Sequence, residues 1–268
     1  MSSAFDQLVE VMYRLRRPGG CPWDRKQTHE SLKPYLIEEA YEVLDAIDSE
    51  ENEPLCEELG DLLFQVLFHS DIADEAGKFN IETVLTTCRN KMKRRHPHIF
   101  KATEEEESQT PLAPEAVITQ WEEIKRQERK DKGDKRSILD GLPKTLPALL
   151  SAHQVQSKAG HVGFDWKTPE AAFPKIDEEI QEVREAMATG SPKELEAEFG
   201  DLLFSIVNVA RLLKINPEEA LRKTVTRFTE RFKQMELAAG DGGLSSLSID
   251  EMNLLWEEAK KSLEGNVA

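Results

Sequence analysis

Apolar positions recur along this chain three and four residues apart and seldom alternate strictly, which is the period of helices rather than strands. Leu8, Val11, Met12 and Leu15 make one stripe over about 5–16, ended by Pro18-Gly19-Gly20. Residues 21–28 then read as a loop. Leu36, Ala40, Val43, Leu44 and Ile47 form the apolar stripe of a second helix, with Glu39 at its edge and Glu42 further round. A third helix runs from near Pro54 to about Ala76, where Gly77 stops it, and a fourth spans about 81–95. His96 and His98 flank Pro97 outside a regular helix. Residues 101–136 read as a connector: Glu104 to Glu107, Pro111 and Pro114 give a loop, and 115–130 a charged helix with Val117, Ile118, Trp121 and Ile124 as a thin stripe. Residues 130–136 complete it as an exposed loop.

The second half carries sharper helix starts. Thr168-Pro169-Glu170, Ser191-Pro192-Lys193-Glu194 and Asn216-Pro217-Glu218-Glu219 each offer a capping side chain, proline at the first helical position and acid in the first turn. They predict helices over 169–188, 192–213 and 217–238, with a last one over 249–263 beyond the loop Gly240-Asp241-Gly242-Gly243. The expected fold is all-α, built of helical bundles.

Within those helices the acidic residues repeat. Glu39 and Glu42, then Glu58 and Asp61, are pairs three apart, so each pair shares one helix face. Glu179 and Glu182, then Glu198 and Asp201, reproduce the pattern with every member offset by 140. Such self-similarity means two copies of one helical unit. The expected organisation is a first repeat over 1–100, the connector over 101–136 and a second repeat over 137–268. Acidic pairs three apart also arise on solvated helix faces, as at Glu104 and Glu107. Asp61 and Asp201, however, sit in Leu59-Gly60-Asp61-Leu62-Leu63-Phe64 and Phe199-Gly200-Asp201-Leu202-Leu203-Phe204, apolar on most of the circumference, where an acid is expected to face more than solvent.

Composition narrows the function. The formal net charge of −16 in 268 residues disfavours a nucleic-acid or anionic-membrane binder. Cys21, Cys56 and Cys88 have no metal-ligand spacing and read as reduced thiols. With no signal-like start and no apolar run of membrane length, the expectation is a soluble cytoplasmic protein.

Four carboxylates on two packed helices repel one another and call for a cation, and Mg²⁺, or Mn²⁺ in its place, is the natural one. Basic pairs four apart, Lys91 with Arg95 and Arg227 with Arg231, stand at equivalent places on the following helix and suit phosphates, although cations there also compensate a helix dipole. These parts suit metal-assisted hydrolysis of a phosphoanhydride. Neither a Gly-x-x-x-x-Gly-Lys loop nor a Gly-x-Ser-x-Gly or His-Glu-x-x-His motif is present to support another common chemistry.

The four acidic pairs resemble the E-x-x-E and E-x-x-D signature of the all-α nucleoside triphosphate pyrophosphohydrolases. Cys21-Pro22-Trp23-Asp24, Arg94-Arg95-His96-Pro97-His98 and Val162-Gly163-Phe164-Asp165-Trp166 extend the likeness nearly end to end, to the two-repeat MazG family. The resemblance implies Mg²⁺-dependent hydrolysis of nucleoside triphosphates, broad in base, to monophosphate and pyrophosphate by a homodimer. It also implies a part in clearing aberrant nucleotides or controlling stringent-response nucleotides. Residue by residue, it assigns metal to Glu179, Glu182, Glu198 and Asp201, with the second repeat as the principal site. It assigns substrate contacts to Lys175, Glu178, Arg227, Arg231 and Trp256, although a tryptophan at helical spacing also serves a core. Arg227 stands where the family usually has lysine, and Val225 where asparagine is usual. Those departures keep alive an alternative: a nucleotide-sensing or partner-binding helical protein with little turnover.

Overall fold

A computed structural model describes residues 3–49, 51–100, 113–131 and 137–264. Every regular element among them is helical, and the chain divides into two compact units, Met1–Asp134 and Lys135–Ala268. The loop over 101–112 and most of that over 130–136, read from sequence as parts of a connector, lie outside the described residues.

The first unit holds α1 (Ala4–Arg16), α2 (Lys33–Asp48), α3 (Asn52–Glu75), α4 (Ile81–Arg95), a single turn α5 (Pro97–Phe100) and α6 (Pro114–Asp131). The turn α5 corrects the reading of His98 as non-helical, since Pro97 can open a helix whose first N–H needs no partner. Helix α3 is the centre, packing against α1, α2 and α4. Met12, Leu32, Leu67 and Phe68 form the core, with Phe5, Leu8, Phe64 and Ile72 around it. Leu8 and Met12 of the expected α1 stripe thus meet the core, whereas Val11 of that stripe is exposed and Val9 packs there instead.

A buried arginine fastens the same pair of helices. Arg16 is 4% exposed; its Nε donates to Asp71 of α3 at 2.9 Å, and its other nitrogens reach Glu75 and the carbonyl of Asp24. Its guanidinium also lies 5.2 Å from the Phe68 ring centre. The chain leaves α1 through Gly20, where an added Cβ would fall 2.2 Å from the carbonyl oxygen of Leu15. Gly20→Ala is therefore expected to lower stability by about 1–3 kcal/mol, since backbone cannot yield cheaply, and thermal unfolding would read it.

The second unit holds α7 (Ala148–Gly160), α8 (Pro169–Thr189), α9 (Pro192–Leu212), α10 (Pro217–Ala239) and α11 (Ile249–Glu264). The three capped starts fall where the sequence puts them. Thr168, Ser191 and Asn216 each accept from a backbone N–H of the first turn, and Glu194 closes a capping box with Ser191. Helix α7 has no counterpart in the sequence reading. It packs on α9, where buried Gln156 donates to the Phe204 carbonyl at 2.8 Å, and it occupies the place that α1 takes on α3.

The ion pair at this place differs between the units. Asp71 on α3 corresponds to Arg211 on α9, and Arg211 pairs with Asp165 of the loop before α8 at 2.9 Å. Asp71 instead pairs with Arg16 and Arg17 at the end of α1, so the two units tie the segment before their second helix with different residues.

Much apolar surface stays open on the acidic helices. Ile37, Tyr41, Leu59 and Leu63 of the first unit, and Phe199, Leu203, Phe204 and Ile206 of the second, are exposed. Asp61 and Asp201 are exposed as well. Their apolar neighbours do not enclose them, because the chain's own helices leave that circumference open.

Candidate active site

In the second unit α8 and α9 pack along each other, so the carboxylates of the two helices meet. Glu179, Glu182 and Glu198 each bring an oxygen within 4.8 Å of the others. Asp201, the fourth member expected, lies outside this trio. Glu179 is 3% exposed. Its charge is answered by Lys175 one turn earlier, whose Nζ lies 2.7 Å from Glu179 and 2.9 Å from Glu178. Those carboxylates push the Lys175 ammonium well above its ordinary range. The Glu182 carboxyl is pushed up, first by its hydrogen bond to Glu179, then by burial and the charge of its neighbours. Three converging carboxylates with one pushed toward its protonated form are short of positive charge, and a divalent ion would supply it.

The first unit repeats the arrangement with different supports. Glu39, Glu58 and Asp61 converge within the same 4.8 Å, while Glu42 lies outside. The lysine position is taken by Tyr35, and the charge on Glu39 is met instead by Gln65 Nε2 at 3.2 Å. Burial raises the Glu39 carboxyl, and the charges of Asp61, Glu42 and Glu58 add to this, while the Gln65 hydrogen bond opposes it. Glu58 is raised similarly.

The basic residues form separate groups. In the second unit α10 packs against α11, and the guanidinium of Arg231 lies 5.8 Å from the Trp256 ring centre. Phe228 packs against the same tryptophan at 5.0 Å. Arg227 donates to Thr224 on its own helix at 3.0 Å, and Val225 is exposed. In the first unit Lys91 is half-buried on α4, and Arg95 turns to α6. Its Nη2 donates to Glu128 at 2.9 Å, and Arg94 Nε donates to the other oxygen at 2.6 Å.

Sequence reasoning missed Glu128. These two arginines hold its carboxyl at about 2, against an ordinary 4.5. A carboxyl depressed on folding stabilises the fold fully above its ordinary value, and that contribution drains away as pH falls toward 2. The melting-temperature advantage of the wild type over Glu128→Gln is accordingly expected to shrink between about pH 4.5 and 2; an advantage independent of pH would contradict the pairing.

The family model for the MazG nucleotide pyrophosphohydrolase domain matches twice, over residues 27–100 and 167–235. Each match contains one acidic trio and one basic helix. The chain belongs to the MazG family. It is 51% identical over 259 residues to the nucleoside triphosphate pyrophosphohydrolase/pyrophosphatase MazG of Thermotoga maritima, covering 96% of this chain and 95% of that one. A nucleoside triphosphate pyrophosphohydrolase of Escherichia coli is 42% identical over 261 residues, covering 96% and 97%. One from Mycolicibacterium smegmatis is 30% identical over 269 residues, covering 95% and 70%. The two MazG domains and the all-helical structure agree with the two-repeat, all-α reading of the sequence.

Proposed function

We propose that this MazG-family protein hydrolyses nucleoside triphosphates to the monophosphate and pyrophosphate at the second unit, with Mg²⁺ as the ion and Mn²⁺ as its substitute. The observation that carries the reading is the convergence of Glu179, Glu182 and Glu198 beside Lys175. Three carboxylates leave positions for water and substrate phosphate oxygens, which suits a small oxygen-seeking cation. When bound, that ion neutralises phosphate charge and acidifies a coordinated water. Glu179 is fixed in place by Lys175, and the ammonium of Lys175 is also positioned to meet a phosphate oxygen. The Glu182 carboxylate, with its raised affinity for a proton, accepts one from the attacking water. Asp201, one turn from Glu198, would complete the ligand set, and Glu178 shares Lys175 with Glu179. Arg231 holds phosphate beside Trp256, on which a base stacks, while Arg227 adds positive charge one turn away.

Two further parts belong to this reading. A second copy of the chain covers the exposed apolar faces of the acidic helices, giving a homodimer. The cellular role is removal of aberrant nucleotides or control of stringent-response nucleotides. No helix among the described residues is long and apolar enough to cross a membrane.

The test is release of monophosphate and pyrophosphate from ordinary and damaged nucleoside triphosphates with Mg²⁺. Turnover is expected, and binding without any release would favour a nucleotide sensor. A separate consequence concerns stability: Mg²⁺ is expected to raise the melting temperature by mass action, by about 2.7 kcal/mol of stability at a hundred times its dissociation constant. Chelation should reverse the rise, and indifference to Mg²⁺ would sink the ion's role.

A further inference from the structure

Two histidines join the turn before α2 to the central helix of the first unit. His29 stands in that turn and His69 on α3, and their Nδ1 atoms lie 2.8 Å apart. The angle between the ring planes is 7° and the ring centres are 5.1 Å apart. Ring faces do not approach as closely as those nitrogens do, so the rings meet edge to edge, and an N–H of one points at the bare nitrogen of the other. His29 is exposed, whereas the Nε2 of His69 is buried and has no partner.

The turn that His29 occupies is closed on itself. Thr28 N–H donates to Ser31 Oγ at 2.9 Å, and Ser31 N–H donates to Thr28 Oγ1 at 3.1 Å. Leu32, the residue before α2, offers no capping side chain; it is 1% exposed and packs in the core with Leu67 and Phe68 of α3. The histidine pair adds a polar tie beside that apolar one. At the offset of 140 the second unit has Pro169 and Val209 in place of the two histidines, and its α8 starts at once from the cap Thr168.

Protonation decides whether the tie holds. With His69 as donor through Nδ1, its buried Nε2 carries no proton and His29 turns its own N–H to water. A proton added to His29 makes His29 the donor and drives the proton of His69 to Nε2, where a buried N–H meets no acceptor. A second proton sets two N–H groups against each other. Charges on the neighbouring elements are engaged elsewhere: Arg16 and Arg17 of α1 with Asp71 and Glu75, Glu30 of the turn with Lys33, Glu39 of α2 with Gln65, and Glu82 of α4 with Thr86. Burial, and then the charge of His29, hold His69 below its ordinary range. A histidine lowered on folding stabilises the fold fully above its ordinary value of about 6.5, and that contribution is lost as pH falls through the lower native value.

We propose that His29 and His69 form a pH-sensitive latch, which holds the entry to α2, and with it Glu39, onto α3 while both rings are neutral and releases it in mild acid. The test is hydrogen exchange on the full chain, corrected for the intrinsic effect of pH, beside nitrogen-15 spectra of the histidine rings. Protection of the amides over 28–36 is expected to fall at least about tenfold from about pH 7.5 to about pH 5.5, the factor that one unit of pKa carries. His69→Phe is expected to show no such fall, and neither is the corresponding stretch 168–176 of the second unit. An equal fall in His69→Phe, or none in the wild type, overturns the latch. Should His69→Phe not fold, the wild-type spectra decide. They are expected to place the proton of His69 on Nδ1 and that of His29 on Nε2 at neutral pH, and a proton on Nε2 of His69 there overturns the proposal.

Discussion

Glu179→Gln is expected to lower pyrophosphate release by at least about a hundredfold while the helices persist. Glu179 is the most deeply buried of its trio, and its negative charge is what Lys175 and an ion share. An amide keeps the size and removes the charge, so the Lys175 bond weakens and one anionic ligand is lost. The loss in stability without metal should be small, because relief of repulsion from Glu182 and Glu198 offsets the weakened Lys175 pair. The measurement is steady-state turnover beside melting temperature with and without Mg²⁺. Lost turnover together with a lost Mg²⁺ stabilisation is the expected pair of results. A variant that kept its Mg²⁺ stabilisation and lost only turnover would make Glu179 a proton-transfer group and move the ion elsewhere.

Arg16→Ala is expected to cost about 3 kcal/mol, the largest effect on stability from any single charged residue of the first unit. Its guanidinium answers Asp71, Glu75 and the Asp24 carbonyl at once; Asp71 is largely screened from water, while Glu75 is open to it. Removing one partner of a buried pair usually costs 3–5 kcal/mol, and the lower end applies because Arg17 still pairs with Asp71 and Glu75. Urea unfolding followed by circular dichroism should then show the first unit melting before the second. A single unchanged transition would mean that the pair contributes nothing net.

The helices with strong boundary chemistry were legible from the chain. Ser191 and Asn216 cap where they stand, since a side chain that accepts the first N–H groups is a local device needing no tertiary context. Helix α7 lacked those marks. Its apolar residues Leu149, Leu150 and Val155 are few, and its Gln156 is buried only because the Phe204 carbonyl receives it. Comparison with α1 at the front of the other repeat would have found it.

The acidic trios were legible because helical spacing fixes neighbours on a face, yet which three of four carboxylates converge depends on how α8 lies on α9 and α2 on α3. Asp201 and Glu42 fall outside for that reason. Glu128 was hidden by a different obstacle. The match between α6 and α11 runs at an offset of 135 rather than 140, because the chain between repeat elements changes length, so α6 read as connector. Its packing against α4 became visible only in three dimensions.

The most direct measurement is pyrophosphate release from nucleoside triphosphates with Mg²⁺ by the wild type, Glu182→Gln and Glu42→Gln side by side. The wild type and Glu42→Gln are expected to turn over alike, and Glu182→Gln to lose activity. Activity kept by Glu182→Gln and lost by Glu42→Gln would put the chemistry in the first unit and contradict the assignment.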